Sequence, residues 1–315
     1  MLKIVLLGAG QHSQRFHLPA LACYVSHYPG DIELTALCDL RQEHATAVAA
    51  RFGFARVYTD LDEMLAKERP DGCIAITPWE ATAPLAIRLI RTGIPLLMEK
   101  PMAVTLEEAR AIVALAEKHR ARVMVSMNRR FAPSICSLQA CKPDRPLSYL
   151  RASIVRNART ESYFWTTAMH PIDTMRHLAG DVREHSVEVR SVAGVNWYFL
   201  HCVFESGAIG LLEAMPTAGM DEESYELHGA NYRALARWGG AVQCWENGKQ
   251  VFAEHPVTQD EPECVANGTY GETVEFISSL KENRCPQSSL LDVMPSMELA
   301  LSMHAAGIGA LPPRK

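Results

Sequence analysis

The sequence predicts an α/β protein in two parts: a doubly wound parallel sheet first, then an α/β domain built on a largely antiparallel sheet. Three observations carry this expectation. Residues 2–7 are a short Ile, Val and Leu run that passes straight into Gly8-Ala9-Gly10-Gln11-His12-Ser13, which reads as a buried parallel strand entering a phosphate-cradling turn. Apolar runs then alternate with helical patterns as far as residue 126, the signature of strands joined by crossover helices. From residue 147 onward strand-like runs succeed one another with few helices between them, which points to antiparallel pairing.

Each element of the first part has a local cause. In the turn, Gly8 permits the tight bend and Gly10 lets the backbone approach a pyrophosphate, while Ser13 stands where the dinucleotide fingerprint prefers a third glycine. A helix is expected over 17–24. The strand 32–38 ends in Asp39, an acidic residue at the distance where a carboxylate holds the ribose hydroxyls of an adenosine. This favours NAD. Arg41, two residues on, could pair with a 2′-phosphate, so NADP stays open. Residues 41–52 form a helix with Ala45, Val48, Ala49 and Phe52 on one face and Gly53 as its stop. Thr59-x-x-Asp62 opens a short helix that ends before Pro70; 72–76 is a strand, 81–91 a helix, and 94–98 the strand that delivers Glu99-Lys100-Pro101. Thr105-x-x-Glu108 is a capping box, and Leu106, Ala109, Ile112, Val113 and Ala116 follow at helical spacing. Residues 122–126 close the series. Gly8, Asp39, Thr77 and Lys100 all fall at carboxyl ends of strands, where ligands of such sheets bind.

In the second part strands are expected at 147–155, 187–193, 197–204, 208–214, 224–229 and 233–238, with helices over 168–178, 270–281 and 297–306. The domains expected are 1–124 for the dinucleotide and 125–315 for substrate and assembly, with the last helix free to pack back on the first.

Composition narrows the function classes. At 315 residues, 48% hydrophobic and 21% charged, the chain supports two cored domains. A formal charge of -5 argues against a nucleic-acid partner. Nine cysteines without any C-x-x-C pair read as reduced thiols in a cytoplasmic protein. The apolar start is too short for a signal-peptide core, and no stretch approaches the roughly 20 apolar residues of a membrane span. No His and Cys cluster shows ligand spacing, so no metal is expected.

The ordered set Gly8-x-Gly10 with His17-Leu18-Pro19-Ala20, Asp39, Thr77-Pro78, Glu99-Lys100-Pro101, Asn128-Arg129-Arg130 and His170-x-x-Asp173 resembles the Gfo/Idh/MocA oxidoreductases over nearly the whole chain. The resemblance implies an N-terminal Rossmann domain, a C-terminal open-faced α/β domain that mediates homodimer or homotetramer contacts, and NAD(P)-dependent redox chemistry on sugars, cyclitols or related alcohols. It assigns the cofactor to Gly8, Gly10, Gln11, His12, Ser13, Asp39, Arg41, Thr77, Pro78, Glu99, Lys100 and Pro101. It assigns the substrate to Asn128, Arg129, Trp165, Thr166 and Asp173.

The chemistry itself asks for few groups. Oxidising a secondary alcohol sends a hydride to the nicotinamide and a proton to a base, so the reaction needs a cation beside the developing oxyanion and an acceptor titrating near neutrality. By similarity Lys100 holds the hydroxyl oxygen, His170 takes the proton, and Asp173 either joins them or positions substrate. In the family Pro101 usually follows a cis bond. Departures are concentrated around His170. Thr166 stands where many members carry an aspartate one helical turn earlier, Tyr163-Phe164-Trp165 replaces a glycine pair, and Thr82 replaces a histidine. Arg130, Arg151, Arg156 and Arg159 could match a carboxylate, as in a uronic acid, or lie on the surface of the sheet. Two other functions share these motifs: a transient-redox sugar epimerase or eliminase with tightly held NAD, and a non-catalytic NAD-responsive regulator.

Overall fold

The computed structural model describes residues 1–142, 146–258 and 260–310, and the chain divides into two units. The first takes Met1–Asn128 together with Pro262–Met294; the second takes Arg129–Glu261 and the stretch that starts at Pro295.

The amino-terminal part of the first unit runs β1 (Leu2–Leu7), a π-helical turn (Ser13–His17), α1 (Leu18–His27), β2 (Ile32–Cys38), α2 (Gln42–Phe52), β3 (Arg56–Tyr58), α3 (Leu61–Glu68), β4 (Gly72–Ala75), α4 (Trp79–Ile90), β5 (Leu96–Met98), α5 (Leu106–His119) and β6 (Val123–Val125). The six strands pair in the order β3-β2-β1-β4-β5-β6, every pair parallel. Ile4, Val5 and Leu6 are wholly buried, as are Leu96 and Leu97, because helices cover both faces of such a sheet. The strand order reverses between β1 and β4, the point where doubly wound sheets bind ligands. Two local signals act as expected: Gly53 ends α2 in the left-handed region, and Thr105 with Glu108 forms a complete capping box for α5. One does not. The cap of α3 is Asp60, whose carboxylate accepts from Glu63 N at 2.8 Å, rather than Thr59.

The second unit begins in the 3₁₀ turn Asn128–Phe131 and continues through α6 (Pro133–Ala140), β7 (Leu147–Val155), α7 (Trp165–Ala179), β8 (Val182–Val192), β9 (Val195–Phe204), β10 (Ile209–Met215), β11 (Glu222–Gly229), β12 (Tyr232–Arg237), β13 (Val242–Glu246) and β14 (Lys249–Glu254). Its eight strands order as β14-β13-β12-β11-β7-β10-β9-β8; β7 and β10 pair in parallel and the other neighbours antiparallel. Alternation along the strands sets the faces. Leu150, Ala152 and Ile154 of β7, with Gly210, Leu212 and Ala214 of β10, point to the buried side, where α7 packs. The residues between them stay half-exposed or exposed, so the sheet is open on its other face.

The chain then forms α8 (Glu263–Ala266) and α9 (Thr269–Lys281), which belong to the first unit, and α10 (Leu290–Ala310). Here the structure differs from a single cut near residue 124. α9 lies against α1, tied by Lys281 to Asp31 at 2.7 Å and by His27 Nδ1 to Tyr270 Oη at 2.6 Å, and Ser126 Oγ donates to the buried Glu272 at 2.9 Å. The residues from Pro295 onward count with the second unit. Among the described residues no helix is long and apolar enough to cross a membrane.

Candidate cofactor and active site

The turn after β1 is shaped by one glycine that cannot be replaced and one that faces open space. Gly8 has φ +97°, and a Cβ built on it would lie 2.0 Å from the Ile76 carbonyl oxygen. A Cβ on Gly10 would meet nothing within 4 Å. The turn opens on a cleft of about 550 Å³ whose lining includes Gly8, Gly10, Asp39, Arg41, Thr77 and Pro78, contributed by the carboxyl ends of β1, β2 and β4. Gln11 and His12 are exposed on the turn, whereas Ser13 is fully buried with its hydroxyl facing no hydrogen-bond partner. The chain after it winds as a π-helical turn before α1 takes over, a widening found often at functional sites.

Asp39 is organised by the turn it serves. Its Oδ2 accepts from Ala9 N at 2.9 Å and its Oδ1 from Arg41 N at 3.0 Å. Burial pushes this carboxyl up, but these backbone bonds and the Arg41 guanidinium outweigh it, so Asp39 is held below the usual aspartate range and stays ionised. Arg41 is largely exposed and reaches Asp39 through Nε at 3.4 Å. His44 and Gln14 complete the support, with His44 Nε2 2.8 Å and Gln14 Nε2 2.9 Å from the Ala9 carbonyl. Neither was visible as a partner from spacing, because they converge on backbone.

At the end of β5, Glu99 is buried and Lys100 half-buried, and the Lys100-Pro101 peptide is cis. Glu99 Oε1 lies 2.8 Å from His17 Nε2 and 3.2 Å from His12 Nε2, while its Oε2 accepts from Lys100 N at 3.2 Å. Burial works against the Glu99 charge, yet the two imidazoles hold the carboxyl well below the usual range. Burial also lowers His17, leaving its ring neutral. Thr82 is buried and turned back on its own helix start, with its hydroxyl 3.2 Å from the Pro78 carbonyl and 3.3 Å from Thr77 Oγ1. Asn128 is buried and donates to the Asn267 carbonyl at 2.8 Å.

In the second unit the middle of α7 is buried, and His170 and Asp173 sit one turn apart within it. Asp173 is locked. Arg130 clasps it with two bonds of 2.7 and 2.6 Å, and Ser296 Oγ donates to it at 2.8 Å. Thr166 Oγ1 donates to the Tyr163 carbonyl at 3.0 Å, a helix-start bond, and Trp165 is buried with its ring 5.7 Å from that of His304. Arg129 lies 3.7 Å over the Trp238 ring and pairs with Glu223, which also accepts from Arg156 at 3.1 Å and Tyr225 Oη at 2.6 Å. Arg151 pairs with Glu213 and Arg159 with Glu161, so each guanidinium that could have matched a carboxylate already holds one from the protein.

A glycine turn opening on a cleft and an acidic residue after the second strand are the dinucleotide-binding features of the doubly wound class. Residues 2–127 match the family model described as oxidoreductase family, NAD-binding Rossmann fold. The chain is 27% identical over 312 residues to the 4-carboxy-2-hydroxymuconate-6-semialdehyde dehydrogenase of Sphingobium sp. (strain SYK-6), covering 93% of this chain and 95% of that one. It is 27% identical to the inositol 2-dehydrogenase of Rhizobium meliloti (strain 1021) over 60% of this chain and 58% of that protein. The crystal structure of a dehydrogenase from Chromobacterium violaceum shares the fold with a TM-score of 0.88 at 20% identity, over 98% of this chain and 96% of that one. Residues 2–127 are thus similar to the NAD-binding Rossmann portion of the Gfo/Idh/MocA oxidoreductases.

Proposed function

We propose that the protein is an NAD-dependent dehydrogenase or reductase that acts on a hydroxyl or carbonyl group of a sugar, cyclitol or related small alcohol. The observation that carries this reading is the cleft of about 550 Å³ into which Gly8, Gly10 and Asp39 face from adjacent strand ends. The residues fit a dinucleotide: Gly10 leaves room for backbone to meet a pyrophosphate, and Asp39 is an ionised acceptor for ribose hydroxyls. Thr77 and Pro78 flank the same cleft. When bound, the nicotinamide supplies the hydride acceptor. Lys100 places an ammonium against the substrate oxygen and stabilises its negative charge, and the imidazole of His170 takes the hydroxyl proton. Asp173 positions rather than reacts, since Arg130 and Ser296 already occupy both its oxygens and steady the helix that carries His170.

Asp39 supports NAD over NADP because its charge would repel a 2′-phosphate, and Arg41 N–H is bonded to Asp39 itself. Net oxidation or reduction is favoured over hidden redox or regulation, because the relatives are named dehydrogenases. The test is NADH formation with purified protein, NAD or NADP, and a panel of sugars, cyclitols and uronic acids. A carboxylated semialdehyde belongs in that panel, since the relative matched over most of the chain is named for one. Turnover that prefers NAD supports the proposal; dinucleotide binding without turnover on any member removes it.

A further inference from the structure

The glycine turn and the Glu99-Lys100 turn share a cluster of metal-binding side chains: His12, His17 and Glu99. One ring nitrogen from each histidine and one carboxylate oxygen lie within 4.8 Å of one another. Both imidazoles aim at the same oxygen, His17 Nε2 at 2.8 Å and His12 Nε2 at 3.2 Å from Glu99 Oε1. We propose that His12, His17 and Glu99 form a binding site for a divalent transition-metal ion of the zinc class.

The donor set and its spacing are the argument. Two imidazole nitrogens and one carboxylate oxygen are a common protein ligand set for zinc, with a fourth position left for water. Bond lengths near 2.1 Å place neighbouring donors of a tetrahedral ion about 3.4 Å apart. The His17–Glu99 and His12–Glu99 separations of 2.8 and 3.2 Å need to open by about 0.6 and 0.2 Å to admit an ion in place of the bridging protons. The protonation states suit it as well, for Glu99 is ionised and burial keeps His17 neutral. Outer support is present, because the second oxygen of Glu99 is held by Lys100 N at 3.2 Å, which fixes the carboxylate's direction. Entry is open on one side only: His12 is 57% exposed, while His17 and Glu99 are buried. Short-range spacing could not reveal the set, since Glu99 lies 82 residues from His17 and reaches it through the pairing of β1, β4 and β5.

The proposal is tested on the full chain without dinucleotide. Co²⁺ is titrated while the visible ligand-field bands are followed, and Zn²⁺ affinity is measured by competition with a chromogenic chelator. Saturation at one equivalent is expected, with the intense visible absorption of four-coordinate cobalt. His12→Ala, at an exposed position that leaves the fold intact, should weaken both ions at least about tenfold. Restoring a donor with His12→Asp should recover part of that loss. Lowering the pH should weaken binding, because the ion displaces protons. Nine cysteines are the competing donors, and they announce themselves by a near-ultraviolet thiolate-to-cobalt band. Binding that carries this band, that is unchanged by His12→Ala, or that does not saturate overturns the proposal.

Discussion

Gly8 and Lys100 mark two kinds of residue in this protein, one fixed by space and one by charge. At Gly8 a methyl group would lie 2.0 Å from the Ile76 carbonyl oxygen on a backbone with φ +97°, so Gly8→Ala should lower the melting temperature and abolish dinucleotide binding together. Calorimetry beside a fluorescence titration reads both. Lys100→Ala should separate them: kcat falls about 10²- to 10⁴-fold while NAD affinity moves little, because only the charge at the reacting oxygen is lost. Equal losses in both would place Lys100 in cofactor binding instead. Asp39→Ala removes the acceptor of Ala9 N–H and a negative charge, so KM for NAD should rise about tenfold and the NAD-to-NADP preference should shrink, as paired kcat/KM values will show. These positions were legible in the sequence, since each follows an apolar strand at a fixed offset. Glu223 was not. It is one carboxylate in a strand of alternating polarity, and only the pleat sends it inward between Arg129 and Arg156 while Glu226, three residues on, pairs with Arg233 near the surface.

Elements differ in how strongly their sequences declare them. The parallel strands β1, β2 and β4 are apolar but for Lys3, Glu33 and Thr35, and stand out plainly. β3 is three residues with Arg56 exposed, and β13 and β14 are short, polar and broken by Gly248, so they have too little apolar patterning to stand out from loop. α6 opens with Pro133 and carries a weak apolar face, so its sequence does not declare a helix. At this scale Glu223 fastens β11 to β7 through Arg156 and to the 3₁₀ turn through Arg129. Glu223→Ala should cost about 3–5 kcal/mol in urea unfolding, since it takes the shared carboxylate from two buried guanidinium groups. Glu226→Ala should cost less than about 1 kcal/mol, because Arg233 is half-exposed. A similar loss for both would mean that the buried cluster adds nothing beyond a surface pair.

For the whole molecule, acid is the condition that should expose these arrangements together. The Glu99 carboxyl, with His12 and His17 overcoming burial, and the Glu223 carboxyl, with Arg129 and Arg156 doing the same, both lie below the ordinary value of 4.5. Groups depressed in this way stabilise the fold above their unfolded value, and that stabilisation disappears as the pH falls through the folded one. His17, lowered from 6.5 by burial, acts in the same direction, because the folded protein prefers the neutral ring. Melting temperature should therefore begin to fall below about pH 6.5 and drop further below about pH 4.5. Glu223→Gln should flatten the lower part of that decline; an unchanged profile would remove Glu223 as a cause.

The division of the chain has a bearing on how the protein is made. The first unit needs Pro262–Met294, so the segment from Arg129 to Glu261 must leave the ribosome before the first unit has all its parts. A nascent chain halted after Asn128 has every strand of the parallel sheet but lacks Lys281, Glu272 and Asn267, which bond Asp31, Ser126 and Asn128 and lie in Pro262–Met294. During synthesis the dinucleotide-binding half is thus an early draft that the last fifth of the chain completes, and ribosome-bound chains should acquire protease resistance in that half only after Met294 has emerged.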